Sequence, residues 1–316
     1  MLDYASRRRR AFGSSRIFLA SQLTRFAFFG LLGGILIIIF LFLWYGRDLP
    51  TPYKLSASNL SQSTRILDRS GIVLYDIYGD QNRAYIELSK ISKYAQESTI
   101  AIEDKDFYKN QGFSIVGLLR AVRNILLLQG ITGGSTITQQ LVKNALLSPE
   151  RTIPRKIKEF ILAIQVDRKY SKDQILELYL NVAPYGGTNV GIEIASEQYF
   201  GKKASDLNVL EAAILAGMPQ RPSYYSPYGE NPKAYISRTK DVLRRMREDG
   251  YISKALEEEA VRQIPNVKFL TKSQSIKAPH FSFYVRKLLI DEFGEALIEH
   301  GGLQVTTTLD YKLQSE

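Results

Sequence analysis

Phe26 to Tyr45 is a run of 20 residues without a charged side chain. As a helix rising about 1.5 Å per residue, it spans roughly 30 Å, the thickness of a bilayer's hydrocarbon core. A buried core helix or a signal-peptide core has the same apolar character. A signal core is usually shorter, and no small-residue cleavage site follows at Trp44, Tyr45, Gly46 and Arg47. The run is therefore predicted to be a retained transmembrane helix over 26–45, in contact with membrane lipids. Arg7, Arg8, Arg9, Arg10, Arg16 and Arg25 precede it, opposed only by Asp3. The positive-inside rule then places the basic tail 1–25 in the cytoplasm and everything after Gly46 outside. Gly30 and Gly34 form a GxxxG pair, which suits packing against a second helix or reflects composition alone.

The formal net charge is +10, and half of it lies in that tail. The rest is spread too thinly for a nucleic-acid stripe, so no nucleic-acid partner is expected. The chain has no cysteine, which excludes thiolate catalysis, thiolate metal sites and disulfides. With His280 and His300 as the only histidines, a histidine-rich metal site is not expected.

Residues 46–91 read as a juxtamembrane linker and a short β region. The alternation around Ile66, Leu67, Ile72, Val73 and Leu74, with turn signals at Gly71 and at Gly79-Asp80, predicts a hairpin. From Ser92 the period becomes helical. Helices are predicted over 95–108, 115–128, 155–169, 172–182, 190–200, 208–217 and 232–248, so 92–250 reads as one mainly α domain. Ser171 is a start signal for one of these helices and Asp206 for another. Segment 115–128 is apolar nearly all round, broken by Arg120, Arg123 and Asn124. It suits a core helix, or a helix lying in the outer leaflet with its arginines among headgroups. Residues 251–316 begin as helix and tail, then turn at Gly301-Gly302 into a strand, and read as a linker toward a further domain.

Three segments carry chemistry. Glu103 and Asp104 are adjacent acids at a helix end, where a solvated face is the commoner meaning and acid–base work the rarer one. Gly133 to Asn144 (GGSTITQQLVKN) sets hydroxyls, amides and Lys143 behind a Gly-Gly turn. This suits a phosphate or sugar cradle, or simply a polar helix N-terminus capped by Ser135. Arg151, then Arg155, Lys156, Lys158 and Glu159, suit a pyrophosphate or a salt-bridged surface.

In this order the segments resemble the motifs of the family 51 glycosyltransferases, the peptidoglycan polymerases. Glu103, Asp104, Phe107 and Gly112 match the first motif, with Asn110 where the family has histidine. Gly133 to Asn144 match the second throughout. Arg155, Lys156 and Glu159 match the third, Ile175 to Asn181 the fourth, and Arg238, Val242 and Leu243 the fifth. The resemblance covers about 64–250. Gly301 to Leu303 with Thr307 to Asp310 resemble the linker of bifunctional class A penicillin-binding proteins. Ser237 to Lys240 fit S-x-x-K by coincidence, since no K-T-G follows.

The resemblance implies a lysozyme-like glycosyltransferase domain at the bacterial cytoplasmic membrane. It would polymerise lipid II onto the growing lipid-linked glycan, invert the anomeric carbon and release undecaprenyl pyrophosphate. It further implies Glu103 and Glu159 as catalytic residues, with Glu103 the base, its pKa raised by burial or by a like charge such as Asp104. Asp104, Phe107, Ser135, Thr136, Gln139, Gln140, Lys143, Asn144, Arg151, Arg155 and Lys158 would bind substrate. Lys143, Arg151 and Lys158 would meet the pyrophosphate. Glu159 would hold Mg2+ or Mn2+, or orient Lys143 and Arg151; no organic cofactor is implied. Moenomycin-type inhibitors and cell-wall synthesis proteins are the implied partners. A glycan-cutting hydrolase and an inactive membrane scaffold are the rival readings. The histidine position, held here by Asn110, is expected to be structural or positioning.

Overall fold

The structure is a computed structural model. It describes residues 22, 24–26, 28–30, 32–34, 36–37, 39–47, 49–52, 55–56, 60–114, 116–117, 123, 134–150, 152–270 and 276–315. The segment 115–128 thus lies outside the described residues, apart from Val116, Gly117 and Arg123, as do Gly133 and Arg151. The chain divides into two compact units, residues 1–49 with 151–161 and residues 50–150 with 162–316.

The first unit contains α1 (Thr24–Gly46), which is 23 residues long, with a mean hydropathy of 2.9 over its most apolar stretch and Phe26, Phe29, Ile37 and Leu43 exposed. Among the described residues it is the one helix long and apolar enough to cross a membrane, and it fits a single-pass anchor. The same unit holds the first half of α4 (Ile153–Lys169), where Phe160 meets the Phe42 ring edge to face at 6.0 Å.

The second unit is mainly helical. Its helices are α2 (Lys93–Glu103), α3 (Ile137–Leu146), the second half of α4, α5 (Lys172–Val182), α6 (Ile192–Phe200), α7 (Val209–Gly217), α8 (Pro222–Tyr225), α9 (Ala234–Glu248) and α10 (Lys254–Gln263). Three more follow: α11 (Pro279–Phe293), α12 (Glu295–His300) and α13 (Tyr311–Gln314). α2, α7 and α9 pack on one another, and α3 packs on α5. α7 is buried at eight of its nine positions, which its alanines and Gly217 allow by letting neighbouring helices approach.

Helix starts are set by local hydrogen bonding. Ser171 caps α5 as expected, its hydroxyl accepting from Gln174 N while the Gln174 side chain accepts from Ser171 N. Two expected caps are displaced. α3 is capped by Thr136, not Ser135, because Thr136 lies three residues before Gln139 and the two close a reciprocal box. α7 is capped by Asn208, paired with Glu211, whereas Asp206 belongs to a preceding 3-10 turn. The helix predicted over 95–108 stops at Glu103, because Asp104 leaves helical geometry at φ −160°.

The hairpin forms as β1 (Thr64–Leu67) and β2 (Val73–Ile77), antiparallel, with Arg65 opposite Asp76. The tail strand β3 (Gln304–Thr306) joins it, parallel to β1, giving the order β2-β1-β3. Segments 46–91 and 279–316 therefore share one core, in which Ile66, Leu74 and Ile77 pack with Leu289 of α11 and Ile298 of α12. Asp68 ties the tail to the hairpin turn. Burial works against its charge, but hydrogen bonds from Ile72 N, Ser70 and Tyr311 N hold its carboxyl at about 2. Arg65 also reaches Glu197 of α6 through two hydrogen bonds at 3.1 and 2.6 Å, fastening the sheet to the helical body.

Candidate active site

Glu103 is the last residue of α2, and its side chain is 9% exposed. Oε2 accepts from Gln140 Nε2 at 2.5 Å. Oε1 lies 3.7 Å from Arg238 Nη2 and has no hydrogen-bond partner among the described residues. Arg245 lies on the same helix as Arg238 and donates to the Ile102 carbonyl at 3.1 Å. Burial pushes the Glu103 carboxyl up, while the Gln140 hydrogen bond and the charges of Arg238, Lys143 and Arg245 pull it down; burial prevails. Of the two causes anticipated, burial is the one that acts.

Asp104 turns elsewhere. Its Oδ2 accepts from Asn110 Nδ2 at 2.8 Å and from Ile137 N, at the start of α3, at 3.2 Å. Asn110 Oδ1 in turn accepts from Gly112 N and from Lys172 Nζ, each at 3.1 Å, and Lys172 pairs with Asp167. Asn110 thus links the loop after α2 to the starts of α3 and α5. These are contacts that an amide can make without titrating. Gly112 is required where it sits: at φ +84° a Cβ would also lie 2.6 Å from the Ala163 carbonyl oxygen.

The candidate binding residues separate by exposure. Phe107 is wholly buried and carries Lys172 over its ring at 5.0 Å, so it supports the loop and offers no surface to a substrate. Thr136 and Gln139 are spent on capping α3, and Thr136 Oγ1 also donates to the Gly112 carbonyl at 2.8 Å. Both are buried framework, not ligand contacts. Ser135, Lys143 and Asn144 are partly exposed along the start and inner end of α3, and Gln140 is already committed to Glu103. Arg155, Lys158 and Glu159 lie on the part of α4 that belongs to the first unit. Glu159 is 1% exposed and pairs with Lys156, three residues before it on the helix.

The fourth motif is structural. Glu177 accepts from Tyr85 Oη at 2.5 Å and from Leu88 N at 2.8 Å. Asn181 accepts from Ile86 N and donates to the carbonyls of Ile86 and Glu177, all at 2.8 Å. These two side chains clamp the strap that leads into α2, and so hold Glu103 from behind. Arg238 was quoted in the fifth motif but given no role by the sequence. Its seat depends on Gly217, where a Cβ would meet Arg238 Cγ at 2.8 Å. Tyr179, which is part of the fourth motif, and Tyr185 are both fully buried near Glu103, a placement that the motif match does not announce.

The family profile described as Transglycosylase matches residues 70–247, which contain Glu103 and every side chain around it. The chain belongs to the transglycosylase family. That membership makes this chain a glycosyl-transferring enzyme, as the motifs implied. Penicillin-binding protein 1A of Aquifex aeolicus is 37% identical over 279 residues, covering 88% of this transglycosylase and 38% of the relative. Penicillin-binding protein 1F of Bacillus subtilis is 40% identical over 263 residues, covering 81% and 36%. A crystal structure of penicillin-binding protein 1A from Haemophilus influenzae aligns with a TM-score of 0.43 at 23% identity, covering 81% and 28%. The chain thus spans less than two-fifths of the length of these relatives.

Proposed function

We propose that this transglycosylase polymerises lipid II into glycan strands at the extracytoplasmic face of the bacterial cytoplasmic membrane, as the N-terminal part of a bifunctional class A penicillin-binding protein. The observation that carries the reading is Glu103. It is a mostly buried carboxylate, raised in pKa, oriented by Gln140 and flanked by Arg238 and Lys143. A base for a sugar hydroxyl needs such tuning, because an ordinary carboxylate is too weak near neutral pH.

In the reaction, Glu103 takes the proton of the acceptor's 4-hydroxyl. The acceptor oxygen bonds the donor's anomeric carbon from the face opposite the leaving group, and the configuration inverts. The bond from that carbon to the pyrophosphate oxygen breaks, and the electron pair departs with undecaprenyl pyrophosphate. Lys143, Arg151 and Lys158, assigned from the sequence, would meet the charge that develops there. Ser135 and Asn144 supply hydrogen bonds to sugar or phosphate oxygens. Among the described residues no three acidic or histidine side chains converge on a cation site. Glu159 would be the residue to hold a Mg2+ or Mn2+ ion, which would supply positive charge to the leaving pyrophosphate.

Lipid II polymerisation by wild type and Glu103→Gln in detergent or liposomes tests the base. Loss of polymer with retained folding and moenomycin binding is expected. Normal turnover by Glu103→Gln would remove Glu103 from the reaction. Release of fragments from finished peptidoglycan, without polymer growth, would identify a hydrolase. A protein that neither polymerises nor binds moenomycin would be a scaffold.

A further inference from the structure

Behind Glu103 lies a chain of hydrogen bonds whose far end has no role in the mechanism above. Tyr179, in the middle of α5, is fully buried. Its hydroxyl lies 3.4 Å from Gln140 Oε1, a long contact, and donates to it. Gln140 Nε2 donates to Glu103 Oε2 at 2.5 Å. Both donors point toward the carboxylate. Hydrogen bonds arranged head to tail polarise one another, most strongly away from water.

We infer that Tyr179 is a positioning residue which, through Gln140, holds Glu103 in its ionised, base-competent form. The inference rests on the reading of Glu103 as the base. The physical reason lies in the amide. Its two ends are nearly equal in shape but opposite in hydrogen-bonding sense. Turned the other way, Gln140 would set a carbonyl oxygen against the carboxylate, an arrangement tolerable only when Glu103 carries a proton. With the NH2 end on Glu103, the Gln140 carbonyl is left facing the interior, where an unpaired acceptor is costly. The Tyr179 hydroxyl satisfies that carbonyl, and so stabilises the orientation that stabilises the anion. Burial holds the Tyr179 hydroxyl protonated far above its ordinary range, reinforced by the Glu103 charge, so it is available as a donor at every working pH. The other groups whose charge acts on Glu103 are Lys143 from α3 and Arg238 and Arg245 from α9; Tyr185, after α5, faces the site as a neutral phenol whose own pKa is raised by burial and by Glu103. None of them is altered by removing the Tyr179 oxygen.

Tyr179→Phe deletes that oxygen and keeps the ring. One net hydrogen bond of about 1 kcal/mol corresponds to roughly 0.7 of a pH unit. The acidic limb of the kcat profile for lipid II polymerisation is therefore expected to move up by about half to one pH unit. Below the limb, kcat falls about three- to tenfold, with KM nearly unchanged. In a Gln140→Met background, which removes the relay, Tyr179→Phe should produce no further shift. Gln140→Met alone should move the limb in the same direction, and it serves as the test should Tyr179→Phe fail to fold. A folded Tyr179→Phe or Gln140→Met enzyme with the limb unmoved would overturn the inference. So would an equal Tyr179→Phe shift with and without Gln140. If Glu103→Gln is inactive while these limbs stay put, the base reading stands and the relay falls. If Glu103→Gln is active, the base reading itself fails.

Discussion

Arg238 is the strongest of the charges acting on Glu103, the proposed base, and Arg238→Met the cleanest perturbation of it. The guanidinium stands 3.7 Å from Glu103 Oε1, with the two side chains 12% and 9% exposed. At an effective dielectric of about 20, unit charges at that separation attract by roughly 4.5 kcal/mol, or about 3 pKa units. That is an upper bound. Some solvent reaches both groups, and Lys143 and Arg245 keep acting on Glu103 when Arg238 is gone. A shift of about 1 to 2 units is what remains, within the usual range for a carboxylate losing one cation. The sign is fixed: Arg238 favours the charged form, so its removal leaves the base protonated to higher pH. Methionine preserves the straight stem that fits against Gly217, which limits structural damage. Initial rates of lipid II polymerisation, measured from pH 5 to 9, should show the acidic limb displaced upward by 1 to 2 units. Activity should recover toward wild type above the limb. A uniform loss at every pH, with the limb in place, would refute the argument and assign Arg238 to a substrate instead.

Three other outcomes follow from the same geometry. Because burial raises the folded-state pKa of Glu103, its stabilising contribution is full at acid pH and is lost as pH rises through that raised value. Thermal unfolding should therefore find Glu103→Gln equal to wild type near pH 4 but more stable near pH 8; a wild type more stable at pH 8 would contradict the burial account. Asn181→Ala removes three 2.8 Å hydrogen bonds and leaves partly buried backbone groups of Ile86 without their side-chain partner. A loss of about 2–4 kcal/mol is expected in denaturant titration, and less than about 0.5 kcal/mol would show that the strap holds by other means. Chelation with EDTA checks the Mg2+ or Mn2+ expectation. A tenfold fall in polymerisation, restored by either ion, supports a bridge at Glu159, and an unchanged rate leaves Glu159 acting through its pair with Lys156.

Elements whose causes are local were legible along the chain. An uninterrupted apolar run of this length forms a helix long and apolar enough to cross a membrane. The Ser171-x-x-Gln174 box starts α5 within one turn, and the hairpin around Gly71 needs only alternation and a turn. Glu103 and Lys143 were legible because ordered motifs carry chemistry in residue type and spacing. Tertiary structure decided what depends on partners far along the chain. Phe107, Thr136 and Gln139 share motifs with reactive residues, yet packing and capping use up their surfaces. Asn110 is positioning because Asp104, Gly112 and Lys172 meet it in space, and the last lies 62 residues away. β3 joins a hairpin more than 200 residues earlier, which no local pattern announces. The pair formed by Glu103 with Arg238 depends on α9 packing on α2 and on a glycine in α7 that leaves room for the Arg238 stem. A charge is tuned by what surrounds it in three dimensions, so the motif singles out Glu103 while the fold sets the environment of its carboxyl.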